Sequence, residues 1–222
     1  MRLKALVTSL ILLIGCDNTT SEDYHLQANT LEKEGKYEEA ILLLDKAIKK
    51  DPNNIKALLD RAVDQSLLAN YDEALIDYTQ VIALDSNNTL AYFNRGKNYH
   101  RIENYKAAIA DFEKAITLKG GMAFYIDKIE NSFLENGFEY DVAMEEIRLE
   151  RGVSRYYLNS LQLAFDDFNF CIQNKYELPT SYLWRGLVYL TYEMHTEGCK
   201  DLNEALRLGN SDAEDLLNKN CK

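Results

Sequence analysis

Four arginines recur at matching positions along the chain and could form a row that binds an anion. They are Arg61, Arg95, Arg151 and Arg185, and each precedes a small residue on a stripe predicted to be buried. A guanidinium group can hold a carboxylate or a phosphate through two parallel hydrogen bonds. A row of such groups could therefore bind an acidic ligand.

Four aspartates favour a structural role for these arginines instead. Each aspartate follows its arginine by the same offset of sixteen positions, and the four are Asp77, Asp111, Asp167 and Asp201. The first repeating unit has Gln27 and Leu43 at the two positions, so the arginine and the aspartate are absent together. This pattern predicts an internal Arg–Asp pair in each of the other units. Removing one partner would leave a buried charge, which is strongly destabilising.

No other cluster of residues offers catalysis or cofactor binding. The three histidines, His25, His100 and His195, lack metal-ligand spacing with cysteine or acid. The chain has no HExxH, no Gly-rich phosphate loop and no GxSxG motif. We therefore expect no enzymatic activity, no metal and no cofactor.

The elements that carry these residues recur with a 34-residue period. Tyr37, Tyr71 and Tyr105 share this spacing, as do Leu44, Tyr78 and Phe112, with small residues at Ala40, Ala74 and Ala108. Alternation of large and small apolar residues at this period is typical of stacked helical hairpins. The pattern resembles the tetratricopeptide repeat (TPR) family, whose second helices carry Tyr, Ala, an aromatic residue and Ala. The resemblance implies an all-α solenoid of stacked hairpins.

The period is interrupted once. Arg95-Gly96 recurs at Arg151-Gly152, which is one period plus 22 positions later, and then at Arg185-Gly186 after one regular period. We predict repeats one to three at 24–122, an extra helix or irregular repeat at 123–144, and repeats four and five at 145–212. A second helix of the insert should start near Glu139, and the curvature of the array should change there. A capping helix is expected at 211–222, with the side chain of Ser211 as its N-terminal cap. Bends within the first two hairpins are predicted at Gly35 and Asn70.

The N-terminus has the layout of a secretory signal peptide over residues 1–15, with Arg2 and Lys4 before a short apolar run. Leu13-Ile14-Gly15-Cys16 resembles the lipobox of bacterial lipoproteins, which implies a lipid on Cys16 and a flexible tether at 16–23. Ordinary cleavage or a chance match to the lipobox is the alternative. Asp17 resembles an inner-membrane retention signal, whereas Ser21-Glu22-Asp23 resembles the export signal of Bacteroidetes-type lipoproteins, so the membrane and the leaflet stay open.

Two cysteines flank the turn at Gly209-Asn210. Cys199 and Cys221 lie about equally far from this turn, so antiparallel helices would bring them together. In an oxidising compartment this arrangement predicts a disulfide that holds the capping helix. Two free buried thiols are the alternative, and Cys171 is expected to be a small core residue.

The charge of the chain excludes some partners. The formal net charge is −11, and removal of Arg2 and Lys4 with the signal would make it −13. Nucleic acid and anionic lipid surfaces both require a basic stripe that is absent here. We therefore expect a protein or peptide partner, with contact to a membrane only through the N-terminal lipid. The oligomeric state stays open.

The resemblance places a partner on the concave face, which the first helices line in this family. The matching residues are Leu59, Val63, Phe93, Lys97, His100, Val153, Tyr156, Leu183, Leu187 and Leu190. They form an apolar groove with a basic spot, suited to a helix or an extended peptide, unless the extra helix or a second copy covers it. We expect a lipid-anchored scaffold that binds a partner in the bacterial cell envelope. The alternative functions are a structural subunit of an outer-membrane or pilus assembly machine and a periplasmic sensor of small ligands.

Overall fold

The computed structural model describes residues 18–126 and 142–221, and every regular element within them is an α-helix. The helices are α1 (Ser21–Lys33), α2 (Tyr37–Lys50), α3 (Ile55–Leu67), α4 (Tyr71–Leu84), α5 (Thr89–Arg101), α6 (Tyr105–Ile126), α7 (Met144–Tyr157), α8 (Leu161–Gln173), α9 (Leu178–Thr191), α10 (His195–Arg207) and α11 (Asp212–Asn220). Consecutive helices pair as five hairpins, from α1–α2 to α9–α10, and α11 packs on α10. The prediction of an all-α solenoid of hairpins is confirmed.

Side-chain caps set the starts of several helices. Thr20 accepts a hydrogen bond from the N–H of Asp23, whose carboxylate accepts one from the N–H of Thr20. This reciprocal pair satisfies two backbone donors of the first turn. Helix α1 therefore begins at Ser21, within the predicted tether. At the other end of the chain, Ser211 makes no capping hydrogen bond, and the N–H of Asp212 donates to the side chain of Asn210 instead.

Each regular hairpin turns on one residue with a left-handed backbone. These residues are Gly35, Ala69, Glu103, Asn159 and Glu193. The bend of the second hairpin is therefore at Ala69, one full period after Gly35, and the predicted bend at Asn70 is wrong, since its φ is −83°. Sequence reasoning favoured asparagine because it tolerates a left-handed backbone, but the repeat register places Ala69 at this position.

The core of each hairpin pairs a small residue of its first helix with a large one of its second helix. The pairs share the offset of the arginines and aspartates, and they are Ala28–Leu44, Ala62–Tyr78, Gly96–Phe112, Gly152–Phe168 and Gly186–Leu202. The large side chains are fully buried or nearly so. The apolar core is divided into one cluster for each hairpin, and every cluster includes a buried residue of the helix that follows the hairpin, which links neighbouring repeats.

The inserted segment differs from the expected helix in its described part. Helix α6 continues without a break through residue 122 to Ile126, and α7 begins at Met144, with residues 142 and 143 outside any helix. The predicted start of a helix near Glu139 and most of the predicted extra helix lie outside the described residues. Helix α7 packs on α6 and α5 as α5 packs on α4 and α3. The alternation of first and second helices is therefore kept across the insertion.

Candidate partner-binding surface

The odd-numbered helices form the inner face of the described array. Within the described residues, each odd-numbered helix from α1 to α7 contacts the next odd-numbered helix. No two successive even-numbered helices approach each other as closely. Helices on the inside of a curved stack lie closer together than those on the outside. We call this inner side the concave face.

Three residues predicted to line this face are buried in the core instead. Leu59 and Phe93 are each 3% exposed, and Leu183 is 8% exposed. The ring of Phe93 packs on Phe112, with centroids 5.9 Å apart. The prediction that these three are accessible is corrected, because they face the joint between two helices. The other predicted residues, Val63, Lys97, His100, Val153, Tyr156, Leu187 and Leu190, are half-buried on the concave face.

A cleft of about 370 Å³ opens between repeats two and three. We call it the central cleft; its lining residues are Val63, Ser66, Leu67, Tyr71, Tyr78, Asn94, Lys97, Asn98 and Arg101. Lys97 and Arg101 both come from α5 and make this cleft cationic. Burial raises the pKa of the Glu150 carboxyl on α7, while these two cations partly oppose that shift. The cleft can therefore receive an anionic group beside apolar side chains.

A group of aromatic rings in mutual contact continues the concave face toward repeats four and five. Tyr105 and Tyr157 stack with centroids 5.2 Å apart, and Tyr156 contacts Trp184 at 5.4 Å. His100 meets Tyr157 edge to face at 5.7 Å, and burial lowers the pKa of its imidazole. We call these five residues the aromatic patch. Tyr157 is 53% exposed, so the patch offers ring surface to a partner. Sequence reasoning found His100 and Tyr156 but missed the other three rings.

At repeats one and two the concave face carries polar residues that sequence reasoning also missed. We call His25, Asn29, Glu32, Asp60, Asp64 and Gln65, from α1 and α3, the acidic end. Nε2 of His25 lies 2.6 Å from a carboxylate oxygen of Asp60, which raises the pKa of the imidazole. Asp64 is 2% exposed. Burial raises the pKa of its carboxyl to about 8, and the neighbouring Glu32 and Asp60 add to the shift.

Each of the four arginines forms an ion pair with the aspartate sixteen positions after it. Each guanidinium donates two hydrogen bonds of 2.6 to 3.0 Å to its paired carboxylate on the second helix of the same hairpin. Three of them also reach the preceding repeat, where Arg61 binds Asp45, Arg95 binds Thr79 and Arg185 binds Asn169. These contacts occupy the guanidinium groups inside the array, which favours the structural role over an anion-binding row.

Repeat four is also linked to the preceding repeat, but through a second arginine. Arg155 donates to Asp167 at 2.7 Å and to Glu113 of repeat three at 2.9 Å. Glu113 stands one period after Thr79, so it occupies the same position in its repeat. Arg155 thereby joins the two sides of the insertion.

The cysteines occupy two environments. Cys199 and Cys221 form a disulfide with Cα atoms 5.7 Å apart, linking α10 to the end of α11. Cys171 is a buried free thiol, and burial raises its pKa to about 12. Cys16 lies outside the described residues. Within 18–126 and 142–221, no group of three or more His, Cys, Asp or Glu side chains could hold a metal. None of the described helices combines the length and the apolar character that crossing a membrane requires.

Comparison with known proteins identifies the repeats. Residues 21–54 and 90–121 each match a family model described as tetratricopeptide repeat. These segments contain the α1–α2 hairpin and nearly all of α5 with the first part of α6. The chain therefore contains tetratricopeptide repeats, and the hairpins between and after them have the same arrangement. No curated protein sequence matches the chain.

Solved structures share the fold across most of the chain. MamA 41-end from Desulfovibrio magneticus RS-1 is 15% identical, with a TM-score of 0.70 over 86% of this chain and 96% of that one. YrrB, a TPR protein with an unusual peptide-binding site, is 18% identical, with a TM-score of 0.70 over 91% and 93%. PilF from Pseudomonas aeruginosa is 17% identical, with a TM-score of 0.67 over 89% and 80%. At these identities the likeness concerns the fold alone.

Proposed function

We propose that this protein is a lipid-anchored scaffold of the bacterial cell envelope that binds a protein or peptide partner on its concave face. The observation that carries the proposal is the central cleft. Lys97 and Arg101 concentrate positive charge beside apolar side chains in a chain whose net charge is −11. A local charge of sign opposite to that of the surrounding protein selects partners by electrostatic complementarity.

The aromatic patch extends this surface. Exposed and partly exposed rings provide rigid anchors that lose little conformational entropy on binding. A partner that fits both regions is a peptide segment with an acidic side chain for the central cleft and apolar side chains for the rings. YrrB, of the same fold, is described as having a peptide-binding site, which supports this type of ligand.

A crosslinking experiment in the native host tests this function. A photoreactive amino acid at Val63, beside the central cleft, should capture a partner that mass spectrometry identifies. Lys97→Glu with Arg101→Glu should abolish the capture, because both cations of the cleft are reversed. Lys49→Glu with Lys106→Glu is the matched control, since both lysines are exposed on second helices. Equal capture by both double variants would contradict the proposal.

The proposed anchor rests on the N-terminal sequence and on the disulfide. Leu13-Ile14-Gly15-Cys16 resembles a lipobox, and a disulfide such as Cys199–Cys221 persists in oxidising compartments. Helix α1 begins at Ser21, so the four residues 17–20 would span at most about 14 Å. The first repeat would thus lie close to the bilayer.

Cys16→Ser tests the anchor. The wild-type chain should incorporate labelled palmitate and sediment with membranes, whereas the variant should lose both properties. A wild-type chain without label would contradict the anchor and leave partner binding untouched.

The alternative function, a subunit of an envelope assembly machine, is favoured by one feature of the second helices. Leu42 and Ile76 stand one period apart, on α2 and α4, and are 62% and 67% exposed. Each exposes apolar surface on a helix that does not line the concave face. A photoreactive residue at Ile76 that captures a membrane complex in fixed stoichiometry, with no capture at Val63, would favour this alternative.

A further inference from the structure

The acidic end is the joint where the first helices of repeats one and two meet. It differs from the equivalent joints between later repeats. Between repeats two and three, Nδ2 of Asn98 donates to Oγ of Ser66 at 2.8 Å. Between repeats three and four, Nδ1 of His100 lies 2.9 Å from Oγ of Ser154. Each of these joints pairs a donor with an acceptor. The equivalent residues of repeats one and two are Glu32 and Asp64, which are both carboxyl groups.

Four oxygen atoms at this joint meet no donor among the described residues, apart from a proton that Asp64 and Glu32 can share. They are Oδ1 of Asn29, Oε1 of Glu32, Oδ2 of Asp64 and Oε1 of Gln65, and all are buried. A buried acceptor without a donor costs free energy, and the cost grows in a medium of low dielectric constant. These acceptors suit a group that carries several N–H donors and a positive charge.

The charged residues around the joint do not supply that group. His25 is engaged by Asp60, to which it is hydrogen bonded. The other charges that act on the cluster are Glu22, Glu32 and Lys33 on α1 and Asp60 and Asp64 on α3. Lys33 is exposed and makes none of the missing hydrogen bonds. Negative charge therefore predominates.

We infer that the acidic end binds the cationic side chain of a lysine or arginine of the partner, with Glu32, Asp64, Asn29 and Gln65 as acceptors. Glu32, Asn29 and Gln65 are partly exposed, so rotation of these side chains can bring their buried oxygens to an ammonium or guanidinium group on the concave face. In the free protein a proton on Asp64 reduces the repulsion between the two carboxyl groups and allows a hydrogen bond to Glu32. The cation replaces that proton, which leaves for the solvent. This inference rests on the proposed function, because it assigns one more contact to the same partner.

The order of charges along the concave face then orients the partner. The acidic end lies between α1 and α3, and the central cleft lies between α3 and α5. Neighbouring packed helices are about 10 Å apart, and an extended peptide rises about 3.3 Å per residue. The basic residue of the partner should therefore stand about three positions from its acidic residue.

Binding of capped amino acids to the full-length chain in detergent tests the site. The probes are N-acetyl-lysine amide, N-acetyl-arginine amide and the uncharged N-acetyl-norleucine amide. NMR signals of the side-chain amides of Asn29 and Gln65 should move saturably with the two cationic probes and not with norleucine. Affinity for the lysine probe should rise between pH 6 and 8, because a proton must leave Asp64.

Glu32→Gln with Asp64→Asn should weaken binding of the lysine probe at least tenfold. Both substitutions keep the side-chain shape and mimic the protonated acids, so the fold should persist. Glu38→Gln, at an exposed position of α2, is the matched control and should bind as the wild type does. Equal shifts with norleucine, unchanged binding by the double variant, or shifts with calcium ions alone would overturn the inference.

The same double variant separates this inference from the proposed function. Once a partner has been captured at Val63, Glu32→Gln with Asp64→Asn should weaken its binding at least tenfold. If Lys97→Glu with Arg101→Glu abolishes capture while the acidic-end variant binds with unchanged affinity, the function stands and the cation site fails. If nothing is captured on the concave face, the function fails, and the probe experiment alone decides whether the cation site exists.

Discussion

A Cβ atom added at Gly96 would lie 2.8 Å from Cε1 of Phe112. Carbon atoms in contact are ordinarily about 3.5 to 4.0 Å apart, so α5 can lie against this ring only because residue 96 has no side chain. Phe112 is fully buried, and its ring has little room to move away. The close approach of the two helices thus depends on both residues together.

Gly96→Ala should therefore destabilise the protein by about 1–3 kcal/mol, the usual cost of overpacking a core. Gly96→Ala with Phe112→Leu recreates the Ala28–Leu44 pair of repeat one and should cost less than the sum of the two single changes. Urea denaturation of the three variants measures this coupling. Strictly additive losses would show that residues 96 and 112 do not constrain each other.

Asp167 should be the most sensitive of the paired aspartates. It is 1% exposed and accepts hydrogen bonds from both Arg151 and Arg155. Asp167→Asn keeps the shape but leaves Arg151 without its counter-ion and Arg155 with Glu113 alone, so we expect a loss of about 3–5 kcal/mol. Asp201→Asn, which affects Arg185 alone, should cost less. Equal thermal stability of the two variants would contradict this ranking.

The disulfide should stabilise the C-terminal end. It closes a loop with a sequence separation of 22, for which the chain-entropy model gives about 3 kcal/mol. Cys199→Ser with Cys221→Ser should lower the unfolding temperature and increase hydrogen exchange in α11. A reducing agent should lower the stability of the wild type and leave this variant unchanged. Sensitivity of both to reduction would locate the effect elsewhere.

Stability should fall as the pH rises from about 5 to 8. Asp64 has a pKa of about 8 in the folded protein, against 3.8 for the carboxyl group of an unperturbed aspartate. The stability that Asp64 contributes is fully present below pH 3.8, declines between pH 3.8 and about 8, and is lost once the pH has risen above about 8. The raised pKa values of Glu32, Glu150 and His25 act in the same direction. The lowered pKa of His100 acts in the opposite direction, but only on acidification below about 6.5.

Asp64→Asn isolates the contribution of Asp64 to this pH dependence. The variant should be more stable than the wild type at pH 8.5 and should show a flatter profile, because the amide does not ionise. Glu38→Gln should leave the profile unchanged. Chemical denaturation at intervals across the pH range provides the measurement, and parallel profiles for all three proteins would exclude Asp64 as the titrating group.

Much of the architecture follows from spacing alone. The 34-residue period determined the hairpins, and the constant offset between facing helices determined which arginine meets which aspartate. Both succeed because a helix and its short turn fix the distance between residues on facing helices. The Cys199–Cys221 pair follows from the same local geometry, since both cysteines flank one turn.

Contacts between repeats could be identified only from the tertiary structure. Phe93 and Leu59 belong to the correct helices, yet their burial depends on how closely adjacent first helices approach. The acidic end joins residues of different hairpins, and the aromatic patch and the bridge from Arg155 to Glu113 also span the insertion, where no single period applies. The sequence by itself determined what each repeat contains, because local contacts follow the period. Only the tertiary structure decided what the repeats share, because the packing angle between hairpins sets which side chains meet.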